Sequence, residues 1–400
     1  MKEWDKAEQF DEDGFAKVWI DTQKLIIDTF GNQFIIQNEG STDKNFTFYS
    51  SEKSKINYIP GEIFNNSQLK VLRSTYNKVD TISNRIGDLK DLEKLILHNN
   101  NIKTIPGTIN KLVHLKILNL SNNMISVVPK EVGDLTSLNI LDLSKNKIVK
   151  LKIENANLKS LYDAELQYNL IEEIPQQLFE LRTLRQLDLS NNKIKAVPPK
   201  MGNLVNLETL FLNSNTLDTL PKEIGRLKKL KFLDIRYNKI LNFPDSLTKC
   251  QELRYLNIDN NLITTLPHQI KNLKNLQEFH ASDNRIVSFL PGEVGELVNL
   301  KTLKINGNQF VDLPSDFEKL IRLEKLDLGD NQLTTFPEFI VKMKNLKELI
   351  LENNPGIKTI PVGIFELRKL VYFSLKGTSV KLNEIENLKA NLPPDCIIDF

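Results

Sequence analysis

The sequence predicts an α/β solenoid: a curved, right-handed coil with a parallel β-sheet on its concave face and short helical, 3₁₀ or extended segments on its convex face. Three observations support this fold class. An apolar frame recurs about every 23 residues over most of the chain, an asparagine stands at a fixed place in it, and a proline step follows. Because one such repeat cannot bury its own apolar side chains, neighbouring repeats must stack into a continuous core.

The N-terminal segment precedes the repeats and is expected to cap them. Residues 1–14 are acidic and are predicted to be mobile, whereas residues 15–45 are predicted to form the cap. There, Leu25–Phe30 and Gln33–Ile36 flank Gly31-Asn32, a pair suited to a two-residue hairpin turn. We expect this hairpin to cover the apolar end of the stack.

Residues 46–381 are predicted to form about 15 repeats of 23–24 residues. A representative repeat reads Leu92-x-x-Leu95-x-Leu97-x-x-Asn100-x-Ile102-x-x-Ile105-Pro106. The x-Leu-x-Leu-x core has the period of two of a short strand with one buried face. The asparagine can donate to and accept from the backbone of the turn that ends the strand. Apolar residues three apart after the proline predict a tight, 3₁₀-like return segment.

Residues 382–400 are predicted to cap the C-terminal end. Three apolar residues of this segment share one helical face: Leu382, Ile385 and Leu388. Pro393-Pro394 would end that helix, and Ile397 and Ile398 are expected to pack on the last repeat. We favour this capping role over the alternative that the final three residues are a ligand for a carboxylate-binding domain.

Composition narrows the classes of partner and the expected location. The chain has 53 basic and 51 acidic residues, and a net charge of +2 indicates no particular affinity for nucleic acid or anionic membranes. The charged N-terminus is unlike a signal peptide, and no run approaches the ~18 apolar residues of a membrane helix. The two cysteines, Cys250 and Cys396, cannot supply the disulfide-bonded caps of secreted solenoids. We therefore expect a cytoplasmic protein, with the nucleus or the cytoplasmic side of the plasma membrane as other locations.

The sequence contains no pattern that predicts catalysis, a cofactor or a metal. Its four histidines fall in different repeats without the spacing of metal ligands, and there is no Gly-rich phosphate loop, nucleophile elbow or kinase signature. Scattered carboxylates on an open sheet are better explained as a solvated face. We expect that the protein is not an enzyme.

The residues that alternate with the strand leucines are predicted to face outward and to bind a protein. Four acidic residues form a stripe that Phe211 interrupts: Asp142, Glu165, Asp188 and Asp234. Beside it lie Asp163, three further aromatic residues and an arginine: Phe232, Tyr237, Tyr255 and Arg236. Exposed aromatics and arginine are typical of binding hot spots, and an acidic face should prefer basic partners. The alternative is that these large side chains cover the sheet without binding anything.

The repeat Ile-Pro-x-x-Ile-x-x-Leu-x-x-Leu-x-x-Leu-x-Leu-x-x-Asn, seen well in Leu184–Leu227, resembles that of the intracellular Ras-group leucine-rich-repeat proteins over residues 46–390. The resemblance implies an intracellular scaffold or adaptor in signalling. It also implies candidate partners for the concave face, a Ras-family GTPase or the catalytic subunit of protein phosphatase 1. The alternatives are a direct regulator or inhibitor of a phosphatase or other enzyme and, as a third possibility, a surface recognition or adhesion protein.

One short segment matches the basic-x-Val-x-Phe motif with which proteins dock on phosphatase 1. It reads Arg285-Ile286-Val287-Ser288-Phe289. The repeat register places Ile286 in the core, and Phe289 would also be buried in a standard repeat. This repeat carries one extra residue, which could turn Val287 or Phe289 outward. Core or bulge structure remains the favoured interpretation.

Overall fold

The computed structural model describes residues 6–7, 9, 15–20, 23–28, 33–35, 46–153, 157–288 and 293–400. The chain comprises two compact units, Met1–Leu184 and Arg185–Phe400. Each unit contains consecutive copies of the predicted repeat. The predicted leucine-rich-repeat solenoid is confirmed.

The first unit begins with a four-stranded antiparallel sheet, in the order β1 (Lys6–Ala7), β2 (Phe15–Ile20), β3 (Gln23–Asp28) and β4 (Gln33–Ile35). The two predicted apolar runs pair, but their register is not the one that a two-residue turn would give. Ile27 pairs with Gln33, whereas a turn of only Gly31-Asn32 would pair Phe30 with Gln33. β3 also pairs along its whole length with β2.

Two expectations for the N-terminal segment remain predictions. Most of residues 1–14, for which mobility is expected, lie outside the described residues. The Gly31-Asn32 pair lies outside them as well. That β1–β4 cover the end of the repeat stack stays a prediction.

The repeats of the first unit contribute short strands and 3₁₀ helices in alternation. The strands are β5 (Phe48–Ser50), β6 (Val71–Arg73), β7 (Lys94–Ile96), β8 (Ile117–Asn119), β9 (Val127–Val128), β10 (Ile140–Asp142), β11 (Lys150–Leu151) and β12 (Asp163–Glu165). All but β9 and β11 join one parallel sheet, while β9 and β11 form a separate parallel pair. The 3₁₀ helices are Gly61–Asn65, Asn84–Asp88, Gly107–Lys111, Lys130–Asp134 and Gln176–Glu180.

The second unit continues the pattern with ten strands that pair in parallel in chain order. They are β13 (Gln186–Asp188), β14 (Thr209–Phe211), β15 (Phe232–Asp234), β16 (Tyr255–Asn257), β17 (Glu278–His280), β18 (Thr302–Lys304), β19 (Lys325–Asp327), β20 (Glu348–Ile350), β21 (Tyr372–Ser374) and β22 (Ile397–Asp399). The 3₁₀ helices are Pro199–Asn203, Lys222–Arg226, Asp245–Lys249, His268–Asn272, Val294–Glu296, Ser315–Lys319, Glu338–Lys342 and Val362–Glu366. One α-helix, α1 (Leu382–Asn391), precedes β22.

The leucine frame forms the core between the sheet and the 3₁₀ helices. In a typical repeat the strand leucine, the apolar residues of the turn and that of the 3₁₀ helix are all 0% exposed: Leu207, Leu210, Leu212, Leu217 and Ile224. Each strand pairs with the equivalent residues one repeat later, as Leu210 does with Leu233. The core is therefore continuous along each unit, as stacking requires.

The recurring asparagine ends each strand by bonding to the backbone of two repeats. Asn215 donates from Nδ2 to Leu189 O at 2.9 Å and to Leu212 O at 3.0 Å. Its Oδ1 accepts the N–H of Ile194 at 3.0 Å. The residue before this asparagine usually has a left-handed backbone, with φ of +54° at Tyr237. This tight turn carries the chain out of the sheet.

The C-terminal segment forms the predicted helix and packs on the last repeat, but one detail of the prediction is wrong. Ile385 and Leu388 are buried, whereas Leu382 is 66% exposed at the first residue of α1, so the apolar face is one turn shorter. Ile397 and Ile398 pack on the last repeat by extending the sheet as β22, where Ile397 pairs with Tyr372 and Ile398 with Phe373. The side chain of Ile397 is 66% exposed and that of Ile398 is half-buried.

Candidate protein-binding face

In strands β13 to β21 of the second unit the middle residue is buried, whereas the first residue is partly or fully exposed. The third residue is half-buried in most of these strands and buried in β15, β16 and β21. The first and third positions form two rows, and we call them together the strand face. The first row passes through Thr209, Phe232, Tyr255 and Glu278, which are register partners. The third row passes in the same way through Asp188, Phe211, Asp234, Asn257 and His280.

Three rings from adjacent strands form an aromatic cluster on the strand face: Phe232, Tyr255 and His280. Phe232 stacks on Tyr255 with centroids 6.2 Å apart and an interplanar angle of 30°. Tyr255 meets the ring of His280 edge-on at 5.4 Å. Phe232 remains 43% exposed. Parallel in-register pairing on successive strands brings these residues together although they are 23 and 25 positions apart in sequence.

The predicted acidic residues of the second unit accept hydrogen bonds from backbone N–H groups of their own repeats. Asp188 Oδ1 accepts the N–H of Ser190 at 2.8 Å. Asp234 Oδ1 accepts the N–H of Arg236 at 3.1 Å, and its Oδ2 lies 3.2 Å from Arg236 Nε. Asp234 is only 4% exposed. These carboxylates cap the ends of their strands, in the manner of Asx turns.

Burial changes the ionisation of these two carboxyl groups. Desolvation raises the pKa of Asp188, and hydrogen bonds from Ser190 oppose part of this effect. Desolvation likewise raises the pKa of Asp234, against the N–H and the charge of Arg236. A buried carboxylate that is already hydrogen-bonded offers little to an incoming cation. Asp188 and Asp234 therefore have fewer free acceptor oxygens than their place in the predicted stripe suggests.

Three predicted acidic residues belong to the first unit. Asp142 and Glu165 are register partners on β10 and β12, and Asp163 is the partner of Ile140. All three are half-buried. Asp142 Oδ1 accepts the N–H of Ser144 at 3.0 Å and its hydroxyl at 2.7 Å. The capping role thus recurs at the same repeat position in both units.

The remaining predicted residues of the second unit lie around the aromatic cluster. Phe211 is half-buried on β14, beside Asp234 on β15. Arg236 follows β15 and is half-exposed, and Tyr237 is 54% exposed in the left-handed turn beyond it. The structure therefore gathers Phe211, Phe232, Arg236 and Tyr255 in one region, with Tyr237 at its edge.

His280 was not predicted to be part of the site. It occupies the third strand position, where several other repeats have a capping Asp or Asn, as at Asp234 and Asn257, and a histidine at this position was the available signal. Its Nδ1 lies 3.4 Å from Asn257 Nδ2. Its Nε2 is buried, lies 3.7 Å from Glu278 Oε2 and has no hydrogen-bond partner among the described residues. Burial, joined by the positive charges of Lys304, Arg236 and Lys325, lowers the pKa of His280 to about 4.

Asp259 supplies the cap that His280 cannot. Its Oδ1 accepts the N–H of Ser282 on the next repeat at 2.6 Å, the kind of bond that β13 and β15 make with their own aspartate. Desolvation raises the pKa of Asp259 to about 6, although the Ser282 N–H and the charge of Lys304 oppose the rise. Asp259 thus keeps the end of β17 hydrogen-bonded although His280 stands at the capping position.

The phosphatase-docking segment is only partly described. Arg285 is exposed, Ile286 is fully buried and Val287 is 50% exposed. The buried Ile286 agrees with its predicted place in the core. Phe289 lies outside the described residues. The side chains of Arg285 and Val287 are thus open to solvent.

No metal site or membrane-spanning helix is found in the part of the chain that the structure describes. Within it, no group of three or more His, Cys, Asp or Glu side chains could hold a metal ion. None of its helices is both long and apolar enough to cross a membrane.

Family models and solved structures match the chain over most of its repeats. A family model described as leucine-rich repeat region matches residues 200–288. Models described as leucine rich repeat match residues 90–148, 183–204 and 298–355. A leucine-rich-repeat protein of Leptospira interrogans is 31% identical, with a TM-score of 0.76, and the match covers 89% of this chain and 96% of that one. No protein of curated function matches the sequence significantly.

Two plant receptors are also similar. The peptide hormone receptor RGFR1 in complex with RGF2 is 26% identical at a TM-score of 0.75, over 92% of this chain and 66% of the receptor. The Arabidopsis receptor kinase HAESA, in complex with the peptide hormone IDA and the co-receptor SERK1, is 26% identical at a TM-score of 0.68, over 86% of this chain and 57% of that one. The chain thus spans less than two thirds of either receptor chain.

Proposed function

The chain belongs to the leucine-rich-repeat family, and we propose that it is a non-enzymatic binding module whose strand face holds another protein through the aromatic cluster. The stacking of Phe232 on Tyr255 is the observation that carries this proposal. Two large rings on adjacent strands of an open sheet leave apolar surface in water, and such patches mark interaction sites. Rigid aromatic side chains beside an arginine are the residues from which binding hot spots are built.

The repeat frame itself does not explain the cluster. The same strand position carries Thr209 and Glu278 on the flanking strands, so the fold accepts small or polar residues there. The plant receptors in complex with peptide hormones show that related solenoids serve in recognition. We propose that this chain also binds an extended segment of a protein.

We propose that the module works as a signalling scaffold or adaptor in the cytoplasm. The support for this location is that both cysteines, Cys250 and Cys396, are free thiols, as is usual for reducing compartments. The resemblance to the Ras-group repeat proteins makes a Ras-family GTPase or the phosphatase 1 catalytic subunit the partners to test first. Direct inhibition of such an enzyme and recognition at a cell surface are the competing roles.

The test is quantitative capture from cell extract with matched variants. Phe232→Ala with Tyr255→Ala removes the cluster, while Val298→Ala with Ile321→Ala removes apolar side chains that are 44% and 59% exposed elsewhere on the same unit. Loss of a hot spot of about 2 kcal/mol weakens binding roughly 30-fold. We expect proteins captured by the parent and by the control variant to be lost from the cluster variant. Equal capture by all three, with unchanged circular dichroism, would refute the proposal.

The exposed Val287 and Arg285 favour one second candidate, docking on phosphatase 1. Titrating the purified catalytic subunit against the chain and against Val287→Ala tests it, with Val311→Ala as a control because Val311 is 49% exposed. Docking predicts that only Val287→Ala weakens binding. Phosphatase activity measured in the same titration separates an inhibitor from a scaffold, since a scaffold leaves the turnover of a small substrate unchanged.

A further inference from the structure

The strand face carries two buried N–H donors without acceptors, one on each side of Tyr255. Arg236 Nε lies 3.2 Å from Asp234 Oδ2 without forming a hydrogen bond to it. His280 Nε2 has no hydrogen-bond partner among the described residues, and its side chain is only 12% exposed. Buried polar groups without partners cost about 1–3 kcal/mol each. A ligand that supplies an acceptor to such a donor removes this cost.

The tautomer of His280 follows from its other nitrogen. Asn257 Nδ2 lies 3.4 Å from His280 Nδ1 and 3.2 Å from the hydroxyl of Tyr255, to which it donates. An amide nitrogen can only donate, so Nδ1 is the acceptor side of the ring. The proton of the neutral imidazole is then on Nε2. That nitrogen is a donor that needs an acceptor.

Both signs of charge surround this point, and three cations act on the imidazole. Arg236, Lys304 and Lys325 all act on His280, Lys325 being paired with Glu348, and Arg236 also acts on the hydroxyl of Tyr255. The nearby carboxylates of Asp234 and Asp259 are engaged by backbone N–H groups. Glu278, at 3.7 Å from His280 Nε2, is the negative group that remains half-exposed. An anion placed among these cations would gain both charge and hydrogen bonds.

We infer that the strand face takes an acidic protein segment, in which a carboxylate accepts a hydrogen bond from His280 Nε2 within the field of the Arg236 charge while a neighbouring apolar side chain packs on Phe232 and Tyr255. This inference rests on the proposed function and adds the chemistry of the partner. It reverses the preference for basic partners that the sequence predicts, because the acidic stripe is occupied in capping its own strands.

The aromatic cluster and the donors fit one extended segment. Phe232 lies one strand from Tyr255, and Tyr255 one strand from His280. Neighbouring parallel strands are about 4.8 Å apart, so Phe232 and His280 stand about 10 Å apart across the sheet. An extended chain covers that distance in about three residues. An apolar residue on Phe232 and an acidic residue two or three positions away would therefore reach both points.

The experiment is selection from a phage-displayed library of random dodecapeptides on the immobilised full chain. We expect the selected peptides to share an aromatic or aliphatic residue two or three positions from Asp or Glu. The same selection on Phe232→Ala with Tyr255→Ala should not enrich them. Enrichment of Lys and Arg, still dependent on the cluster, would overturn this inference and leave the proposed function standing. Selection that is the same on both proteins would overturn both.

Synthetic copies of the selected peptides then test the donors by fluorescence anisotropy. Arg236→Gln should weaken binding at least 10-fold, whereas Arg254→Gln, which alters an exposed arginine at the start of the next repeat, should change it less than twofold. Replacing the peptide Asp by Asn should weaken binding to the parent chain but not to Arg236→Gln. Copies with a free or an amidated C-terminus separate a side-chain carboxylate from a terminal one. Equal effects of the two arginine variants would contradict the inference.

Discussion

Substituting Asn215 by alanine should destabilise the second unit more than most surface or core changes. The substitution removes the acceptor of the buried Ile194 N–H and a donor to the buried carbonyl of Leu189, at 3.0 and 2.9 Å. Both residues are 0% exposed, so water cannot replace the lost bonds. At about 1–3 kcal/mol for each unsatisfied group, the loss should be roughly 2–6 kcal/mol. That is a large part of the usual 5–15 kcal/mol for a domain.

The assay is urea denaturation followed by circular dichroism, with Asn275→Ala as the matched control. Asn275 Nδ2 also donates to a carbonyl of the preceding repeat, Gln251 O at 2.9 Å, but it is exposed. Water can replace that bond, and we expect a loss of less than about 1 kcal/mol. Hydrogen exchange at the Ile194 amide should accelerate in Asn215→Ala alone. Equal losses in the two variants, or unchanged exchange at Ile194, would refute the reasoning.

Three further changes test the fold and the site. Gly225→Ala should cost about 1–3 kcal/mol of unfolding free energy in urea, because a Cβ there would lie 2.4 Å from Ser246 O; an unchanged midpoint would mean that the next repeat can move away. Tyr237→Asn should raise stability by about 1 kcal/mol, since φ of +54° penalises tyrosine more than asparagine, and a lower melting temperature would contradict this. His280, with a pKa of about 4, costs stability as pH falls from 6.5 towards 4, because only the unfolded chain takes up the proton. His280→Asn should therefore remove a loss of about 3 kcal/mol over that window. Asp259 has the opposite effect on stability, because its pKa is raised to about 6 and the folded chain therefore takes up a proton before the unfolded chain does as pH falls. Asp259→Asn should therefore lose stability relative to the parent as pH falls below 6. Parallel pH profiles for these two variants would contradict both assignments.

The repeat frame could be read from the sequence because each of its positions has one physical role. The period of two around Leu187 and Leu189 predicts a strand, and the structure places β13 at Gln186–Asp188. The proline step and three-residue spacing predict the 3₁₀ return, which is present, for example, at Lys222–Arg226. Local rules suffice here because stacking copies the same environment from repeat to repeat.

The N-terminal register and the chemistry of the strand face depend on contacts that the frame does not contain. The register of β3 with β4, in which Ile27 pairs with Gln33, is not the one that a turn of only Gly31-Asn32 would give. Alternation places Asp234 on the outer row, but it predicts neither the 4% exposure of Asp234 nor its ion pair with Arg236. Asp234 caps its strand because its carboxylate reaches the N–H of Arg236, whereas at the end of the His280 strand Asp259 accepts the N–H instead. These roles depend on side-chain geometry. The sequence therefore predicts the position of the face better than its charge.

Photo-cross-linking from position 232 tests the central claim most directly. Phe232 is replaced by p-benzoylphenylalanine, which preserves an aromatic ring, and the control carries the same photo-cross-linker in place of Ile321, which is 59% exposed. If the strand face of the second unit is the binding site, irradiation in cell extract should give a discrete cross-linked partner from position 232 and none from position 321. The same partner cross-linked from position 321 and not from position 232 would contradict the account.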